Sequence, residues 1–337
     1  MSSIIQYATH EATAPINALI TLNHWYECQA NSSLSAVSQV NEHAQHTLCI
    51  FGLEMQQAHL SQLIDFVVSI GAKQVYVTAY KPHELLPTAL AVRFEADKKP
   101  CKAQLSNFAK SIGVQGAIAT QAPTITKPGL LVMDMDSTAI QIECIDEIAR
   151  LAERFDEVAS ITAQAMAGEL SFNESLHRRV ASLAGVQLSQ IQSLKDDLPL
   201  MPGIGALCQT LKQHNWHLAI ASGGFTWFAE ALIAPLHLDA VFANTLEVAN
   251  EQLTGKVLGD IVDADKKAEV LALLATQYAI PMNQTVAIGD GANDLVMMAK
   301  AQLGVAIHGK PKVVENADAA ICEGSLLQLL YLLGVPK

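Results

Sequence analysis

A chain of 337 residues, half of them hydrophobic, is long enough for two domains with sizeable cores. Its 21 lysines and arginines against 33 aspartates and glutamates leave a formal charge of −12, which argues against nucleic acid or an anionic membrane surface as the main partner. An anionic substrate would therefore need cations supplied locally, by a metal ion or by a few placed Lys and Arg side chains.

The cysteines, Cys28, Cys49, Cys101, Cys144, Cys208 and Cys322, are scattered without a CxxC or a Cys/His cluster, so reduced, mostly buried thiols are expected. Met1 to Gln6 lack a basic start followed by an apolar run, and the apolar stretch Leu326 to Val335 is too short to span a bilayer. These features predict a cytoplasmic protein without a signal peptide.

In chain order, Asn17–Leu22 and Thr47–Gly52 read as strands, and His59–Ile70 as an amphipathic helix with Leu60, Leu63, Ile64, Val67 and Val68 on one side. Strands at Gln74–Val77 and Ala89–Phe94, a helix through Leu105–Ile112 and a strand at Gln115–Ala119 follow. From Thr47 the order is β-α-β-β-α-β, the split βαβ arrangement. No acid cluster, Gly-rich loop or nucleophile constellation is found in this unit; it reads as a regulatory, ligand-sensing or dimerising module, or as a structural extension. The polar, proline-flanked stretch Gln121–Gly129 reads as a linker.

Leu130-Leu131-Val132-Met133, bounded by Pro128-Gly129 and by acids, predicts a short strand buried on both faces. Helix-rich sequence continues to about Asp197, with Ser171-Phe172-Asn173-Glu174 as a capping box opening the helix of Arg178 and Arg179. Strands are then predicted at Trp216–Ala221, Asp239–Ala243, Thr285–Gly289, Leu303–Ile307 and Ala319–Ile321, with helices through Trp227–Ile233 and Lys266–Tyr278. Strands separated by helices imply a parallel sheet covered on both faces, and the helical block after the first strand reads as a cap over its active end.

In such a sheet, ligands bind beyond the carboxyl ends of the strands. Three of those ends carry polar groups: Asp134 and Asp136, then Ser222-Gly223-Gly224, then Asp290-Gly291-Ala292-Asn293-Asp294. Each alone reads as a cap or a turn; together, on one edge, they form a candidate active site. A carboxylate pair there can hold a hard cation, and one member can attack an electrophile. No P-loop and no dinucleotide-binding glycine pattern is present.

Asp134-Met135-Asp136-Ser137-Thr138, Ser222-Gly223-Gly224-Phe225, Lys267 and Gly289-Asp290-Gly291-Ala292-Asn293-Asp294 resemble the four motifs of the haloacid dehalogenase-type phosphotransferases. Glu143, Ile145–Ala149 and Met166–Val180 resemble the cap of the phosphoserine phosphatases among them. The resemblance covers Leu130 to the end of the chain. It implies an α/β fold: a doubly wound parallel sheet with a helical cap inserted at about 143–200, in a domain of residues 126–337. A small α+β, ferredoxin- or ACT-like domain of residues 1–125 would precede it.

The activity implied is hydrolysis of O-phospho-L-serine to L-serine and phosphate, the last step of serine biosynthesis, through an aspartyl-phosphate. By this resemblance Asp134 is the nucleophile and Asp136 the acid and base. Mg²⁺ is the implied cofactor, held by Asp134, the Asp136 backbone carbonyl and Asp290, with Asp294 orienting those ligands or Lys267. Lys267, Ser222, Gly223 and Asn293 would bind the phosphoryl group; Lys266 competes with Lys267, and family register selects Lys267. Thr138 would order the loop or start a helix. In the cap, Glu143 suits the substrate ammonium and Arg179, rather than Arg178, the carboxylate, while Met166 and Phe172 would screen water. The expected partners are this small molecule and, through the amino-terminal unit, a second copy of the chain. The alternatives are a phosphatase or phosphomutase of the same fold acting on another small phosphate monoester, and a phospho-acceptor signalling domain.

Overall fold

The computed structural model describes residues 4–6, 22–29, 33–37, 44–96 and 100–336. Its contacts divide the chain into two compact units: Met1–Thr124 with Ile321–Gly324 and Gln328–Lys337, and Ile125–Ala320 with Ser325–Leu327.

The first unit holds β1 (Ile4–Gln6), β2 (His24–Gln29), β3 (Ser33–Val37), β4 (His46–Phe51), α1 (Gln57–Ser69), β5 (Gln74–Tyr80), β6 (Ala89–Phe94), α2 (Lys102–Ser111) and β7 (Gln115–Ile118). The sheet runs β1-β3-β2-β5-β6-β4-β7, and its described registers are antiparallel. From β4 onward this is the expected split βαβ order. Leu60, Leu63, Ile64 and Val67 of α1 are buried at helical spacing, and the Phe66 and Phe108 rings stack between α1 and α2 at 4.6 Å. The strand expected at Asn17–Leu22 lies outside the described residues except for Leu22. The β2–β3 pair was not expected: the polar His24, Glu27 and Gln29 obscure its strand pattern, and cross-strand pairing with β5 supports it.

The second unit begins with β8 (Leu130–Met133), all four residues fully buried. The cap helices α3 (Cys144–Leu151), α4 (Phe155–Met166), α5 (Phe172–Ala181) and α6 (Leu188–Asp196) come next, then α7 (Ile204–Gln213), β9 (His217–Phe225), α8 (Thr226–Ala229), α9 (Ile233–Leu236), β10 (Ala240–Ala249) and β11 (Gln252–Leu258). α10 (Ala264–Gln277), β12 (Thr285–Gly289), α11 (Leu295–Lys300), β13 (Leu303–Ile307), α12 (Pro311–Asn316) and β14 (Ala319–Ile321) complete it. The strand order is β11-β10-β9-β8-β12-β13-β14, with β8 paired in parallel to both β9 and β12.

Several local readings are corrected. Residues 227–233 do not form one helix: α8 and α9 are separated by a 3-10 turn at Glu230–Leu232. β10 returns through an unexpected antiparallel hairpin to β11, its turn made by Asn250 and Glu251 at φ of 53° and 61°. Two successive left-handed residues suit a tight hairpin, but Asn-Glu lacks the glycine that signals one. Only half of the capping box at α5 is made, with the Glu174 N–H donating to Ser171 Oγ while the Glu174 carboxylate pairs with Arg178 at 2.6 Å. Three cysteines are buried, Cys49, Cys144 and Cys208, whereas Cys101 and Cys322 are exposed. Among the described residues no helix is long and apolar enough to cross a membrane.

The end of the chain returns to the first unit. α13 (Leu329–Leu333) buries all five of its residues there. Phe51 stacks on Tyr331 at 5.0 Å, the Tyr80 hydroxyl donates to the Tyr331 carbonyl at 2.8 Å, and the Tyr331 hydroxyl donates to the Pro87 carbonyl at 2.6 Å. The Gln115 side chain accepts from the Cys322 N–H at 2.7 Å and donates to Gln328 Oε1 at 2.9 Å. A Tyr331→Ala substitution removes a fully buried aromatic ring and is expected to cost about 3–5 kcal/mol of the first unit's stability. Chemical denaturation read by amide exchange in β4 and β5 tests this; protection there unchanged from wild type would show that the tail adds nothing to that core.

Candidate active site

Met133 of β8 pairs with Ile220 of β9 on one side and Ile288 of β12 on the other, so Asp134, Ala221 and Gly289 follow at one level. The Asp134 N–H donates to the Ile288 carbonyl at 3.0 Å, and the Met135 N–H donates to Asp134 Oδ1 at 2.7 Å. The chain then turns back on itself, the N–H groups of Ala139 and Ile140 both donating to the Met135 carbonyl. Ser137 sits in that turn at a φ of 54°. Buried Thr138 donates to Asp290 Oδ1 at 3.0 Å, so its hydroxyl ties this loop to the loop after β12.

At the end of β9 the pairing slips. Between the pairs Ala221–Phe242 and Phe225–Asn244, β9 carries Ser222, Gly223 and Gly224 against Ala243 alone on β10. The surplus bulges from the sheet. Asn244, fully buried, holds the bulge by donating to the Gly223 carbonyl at 2.8 Å and accepting from the Val262 N–H at 2.9 Å. Ser222 Oγ accepts from the Gly224 N–H at 2.9 Å, which leaves its own proton available to a ligand. A Cβ on Gly223 would lie 2.8 Å from Phe172 Cζ, so a larger residue there would push the Phe172 ring of the cap aside.

The third strand end carries the buried charges. Lys267, fully buried on α10, reaches Asp134 Oδ1 at 2.9 Å and Asp294 Oδ1 at 2.7 Å. Burial opposes its charge, but the two carboxylates outweigh that and raise its pKa. Asp294 Oδ2 accepts from the Gly291 N–H at 2.9 Å, and a Cβ on Gly289 would collide with the Asp294 carboxyl. Half-buried Lys266 instead pairs with Glu269 at 3.2 Å. Asp136 is in the opposite situation to Asp134: its Oδ1 is buried without a hydrogen-bond partner, and burial, then Glu143 and Asp134, raise its pKa well above the carboxylate range.

A cavity of about 560 Å³ lies between these loops and the cap. Asp134, Asp136, Glu143, Arg179, Ser222, Gly223, Asp290 and Asn293 line it, together with Met166 and Phe172. Lys267 and Asp294 are both fully buried, and Lys267 meets the cavity wall at Asp134. Glu143 Oε1 accepts from Ser137 Oγ at 2.8 Å. Arg179 is half-buried, and burial lowers its pKa against the opposing pull of Asp146, Glu143 and Asp136. Arg178 is exposed and paired with Glu174. Met166 is 67% exposed and approaches Lys310 Nζ at 3.9 Å, so it stands at the mouth rather than sealing the interior. Lys310 and Lys312 also line the cavity; sequence reasoning singled out neither lysine, nor Asn244.

The sequence matches the haloacid dehalogenase-like hydrolases over residues 129–302, and the chain belongs to that family. A phosphoserine phosphatase of Idiomarina loihiensis is 53% identical over 202 residues, 60% of this chain and 92% of that one. One of Vibrio cholerae is 51% identical over 212 residues, 63% of this chain and 65%, less than two thirds, of the Vibrio protein. At these identities the branch of the family is that of the phosphoserine phosphatases. Among solved structures, an unliganded probable phosphoserine phosphatase from Vibrio cholerae superposes with a TM-score of 0.74 at 39% identity, covering 88% of this chain and 89% of that one. A phosphoserine phosphatase captured as a phospho-aspartyl intermediate analogue superposes with a TM-score of 0.58 at 37% identity, covering 61% of this chain and 98% of that one.

The acids also suit a metal. Ligand atoms of Asp134, Asp290 and Asp294 lie within 4.8 Å of one another, and Lys267 neutralises only part of their charge. An all-oxygen set with surplus negative charge fits a hard divalent cation. The Asp136 carboxylate is outside this group. Burial and then Asp134 push Asp290 up to about 6, and the same two causes push Asp294 up to about 7 against the pull of Lys267. Without metal, both carboxyls bind protons more readily in the folded state. Their contribution therefore favours the fold at low pH and is lost as pH rises from the ordinary 3.8 through about 7. A cation competes with those protons. The rise in melting temperature on adding Mg²⁺ is thus expected to grow between about pH 5 and pH 8 and to shrink in Asp290→Asn. A pH-independent shift would rule out these acids as the binding group.

Proposed function

We propose that the cavity takes O-phospho-L-serine and returns L-serine and inorganic phosphate, with Asp134 as nucleophile and Asp136 as acid and base. The observation that carries this reading is the contrast between two carboxyls two residues apart. Asp134 is held against the Lys267 ammonium, whereas Asp136 Oδ1 is buried without a hydrogen-bond partner, and burial, then Glu143 and Asp134, shift that carboxyl toward its protonated form. Environments that separate two carboxyls in this way allow one to attack while the other donates.

In the first half-reaction an Asp134 oxygen bonds to phosphorus, the bond from phosphorus to the serine oxygen breaks, and the Asp136 proton moves to that oxygen. In the second, water attacks phosphorus and passes its proton to Asp136, and the bond to Asp134 breaks. Ser222 Oγ–H and the Gly223 N–H donate to the phosphoryl oxygens, and Asn293 lines their side of the cavity. Mg²⁺ would be held by Asp134, the Asp136 carbonyl and Asp290, with Asp294 orienting them through Lys267 and Gly291; it supplies positive charge to the phosphoryl group. Glu143 faces the substrate ammonium and Arg179 its carboxylate. The cap over the site, and a second carboxyl at Asp136 lining the same cavity as Asp134, favour hydrolysis over a phospho-acceptor signalling role.

Two substitutions test this. Asp136→Asn removes the proton donor, so kcat/KM, which reads the first half-reaction and not the hydrolysis common to both esters, is expected to fall far more for phosphoserine than for p-nitrophenyl phosphate, whose leaving group departs unprotonated; equal losses in kcat/KM would remove Asp136 from the acid role. Arg179→Ala leaves the substrate carboxylate unpaired under the cap, which costs roughly 2–5 kcal/mol, or about 30- to 5,000-fold in kcat/KM for phosphoserine. Lysine at that position should rescue only in part, and the aryl phosphate should be nearly unaffected. A similar loss on both substrates would reduce Arg179 to a cap-stabilising residue.

A further inference from the structure

Ser175 is not accounted for by the residue roles above. It lies on α5, is 1% exposed, and lines the cavity, yet its hydroxyl has no hydrogen-bond partner. A buried hydroxyl is normally satisfied. On a helix the usual solution is donation to the carbonyl four residues back, and this protein uses it repeatedly: Ser61 to Gln57, Thr162 to Val158, Thr210 to Ala206 and Thr276 to Ala272, at 2.8 to 3.1 Å. Ser175 does not. The Ser171 carbonyl it would use accepts only the Ser175 backbone N–H, at 2.9 Å.

The position of the residue explains the difference. Phe172, Ser175, Leu176 and Arg179 share one helical face, and all four line the cavity. Phe172 and Leu176 supply apolar wall; Ser175 and Arg179 are the polar pair on that face, one turn apart. Arg179 Nε donates to the Ser175 carbonyl at 3.4 Å, which binds the guanidinium to the same turn. A group that enters the cavity to meet Arg179 arrives beside the unused hydroxyl.

We infer that Ser175 is a specificity-determining residue whose hydroxyl donates to the substrate carboxylate alongside Arg179. This rests on the reading of the cavity as a phosphoserine site. The hydroxyl is then unsatisfied only until the amino-acid substrate binds, and a phosphate ester without a carboxylate leaves it unsatisfied.

The test compares wild type, Ser175→Ala and Ser175→Cys on O-phospho-L-serine, on phosphoethanolamine, which keeps the ammonium and lacks the carboxylate, and on p-nitrophenyl phosphate. Alanine is a better helix former than serine and leaves no unsatisfied group, so the Ser175→Ala protein should fold with an unchanged or higher melting temperature. Its kcat/KM for phosphoserine should fall by about 10- to 100-fold, mostly through KM, as expected for a hydrogen bond to a charged group. The other two substrates should be unchanged, and cysteine, a weak donor of similar size, should lie between. A wild-type enzyme with no preference for phosphoserine over phosphoethanolamine would overturn the substrate reading itself. A retained preference, with Ser175→Ala equal to wild type or slowed alike on all three substrates, would overturn only the role of Ser175.

Discussion

The ammonium of Lys267, buried to the last atom between Asp134 and Asp294, is the interaction on which the rest of the second unit depends. Charges taken out of water are tolerated only with close partners, and removing one member of such a group costs about 3–5 kcal/mol. Here the partners come from three places: α10, the end of β8 and the loop after β12. Pairing them sets the depth of α10 against the sheet and the position of Asp134. It also leaves the acids in excess, so the charge arrangement that holds the loops together also prepares a cation site. Gly289 follows from the same requirement, since a side chain there would occupy the space of the Asp294 carboxyl.

The cap supplies what the sheet edge lacks. The strand ends present mostly acids and backbone donors, whereas α5 of the cap brings Arg179 to the cavity; Lys310 and Lys312, at the start of α12 after β13, line it from the sheet side. An acidic chain that handles an anionic substrate needs such locally placed cations. Phe172 packs closely against Gly223, while Met166 and Lys310 meet at the mouth.

The first unit is built from both ends of the chain. Tyr331 and its neighbours in α13 lie against Phe51, Tyr80 and Pro87, far away in sequence. A chain begun near Ile125 would keep every catalytic motif and still carry an apolar helix without the sheet that buries it. A catalytic half shortened in this way has exposed hydrophobic surface as its main liability.

Much of this was legible beforehand, and for a physical reason. β8, β12 and β13 are short apolar runs buried on both faces, and α1 and α10 carry apolar residues at helical spacing; these patterns are local. The acids and the Ser-Gly-Gly stretch sit where the strands stop, and parallel topology alone brings those ends to one edge. What sequence could not provide was any feature that depends on a distant partner. The bulge that projects Ser222 and Gly223 needs the register of β9 against β10, and its clamp, Asn244, has an unremarkable local sequence. The hairpin to β11 turns on Asn-Glu rather than a glycine pair, and the return of α13 to the first unit leaves no local trace. Sequence by itself determined which side chains could do phosphoryl chemistry and on which strand ends they stand. Only the tertiary structure decided that Lys267 is buried between Asp134 and Asp294, that Asp136 Oδ1 is left without a hydrogen-bond partner, and that the Ser175 hydroxyl is left without one beside Arg179, because burial, charge pairing and hydrogen-bond satisfaction are properties of neighbours in space.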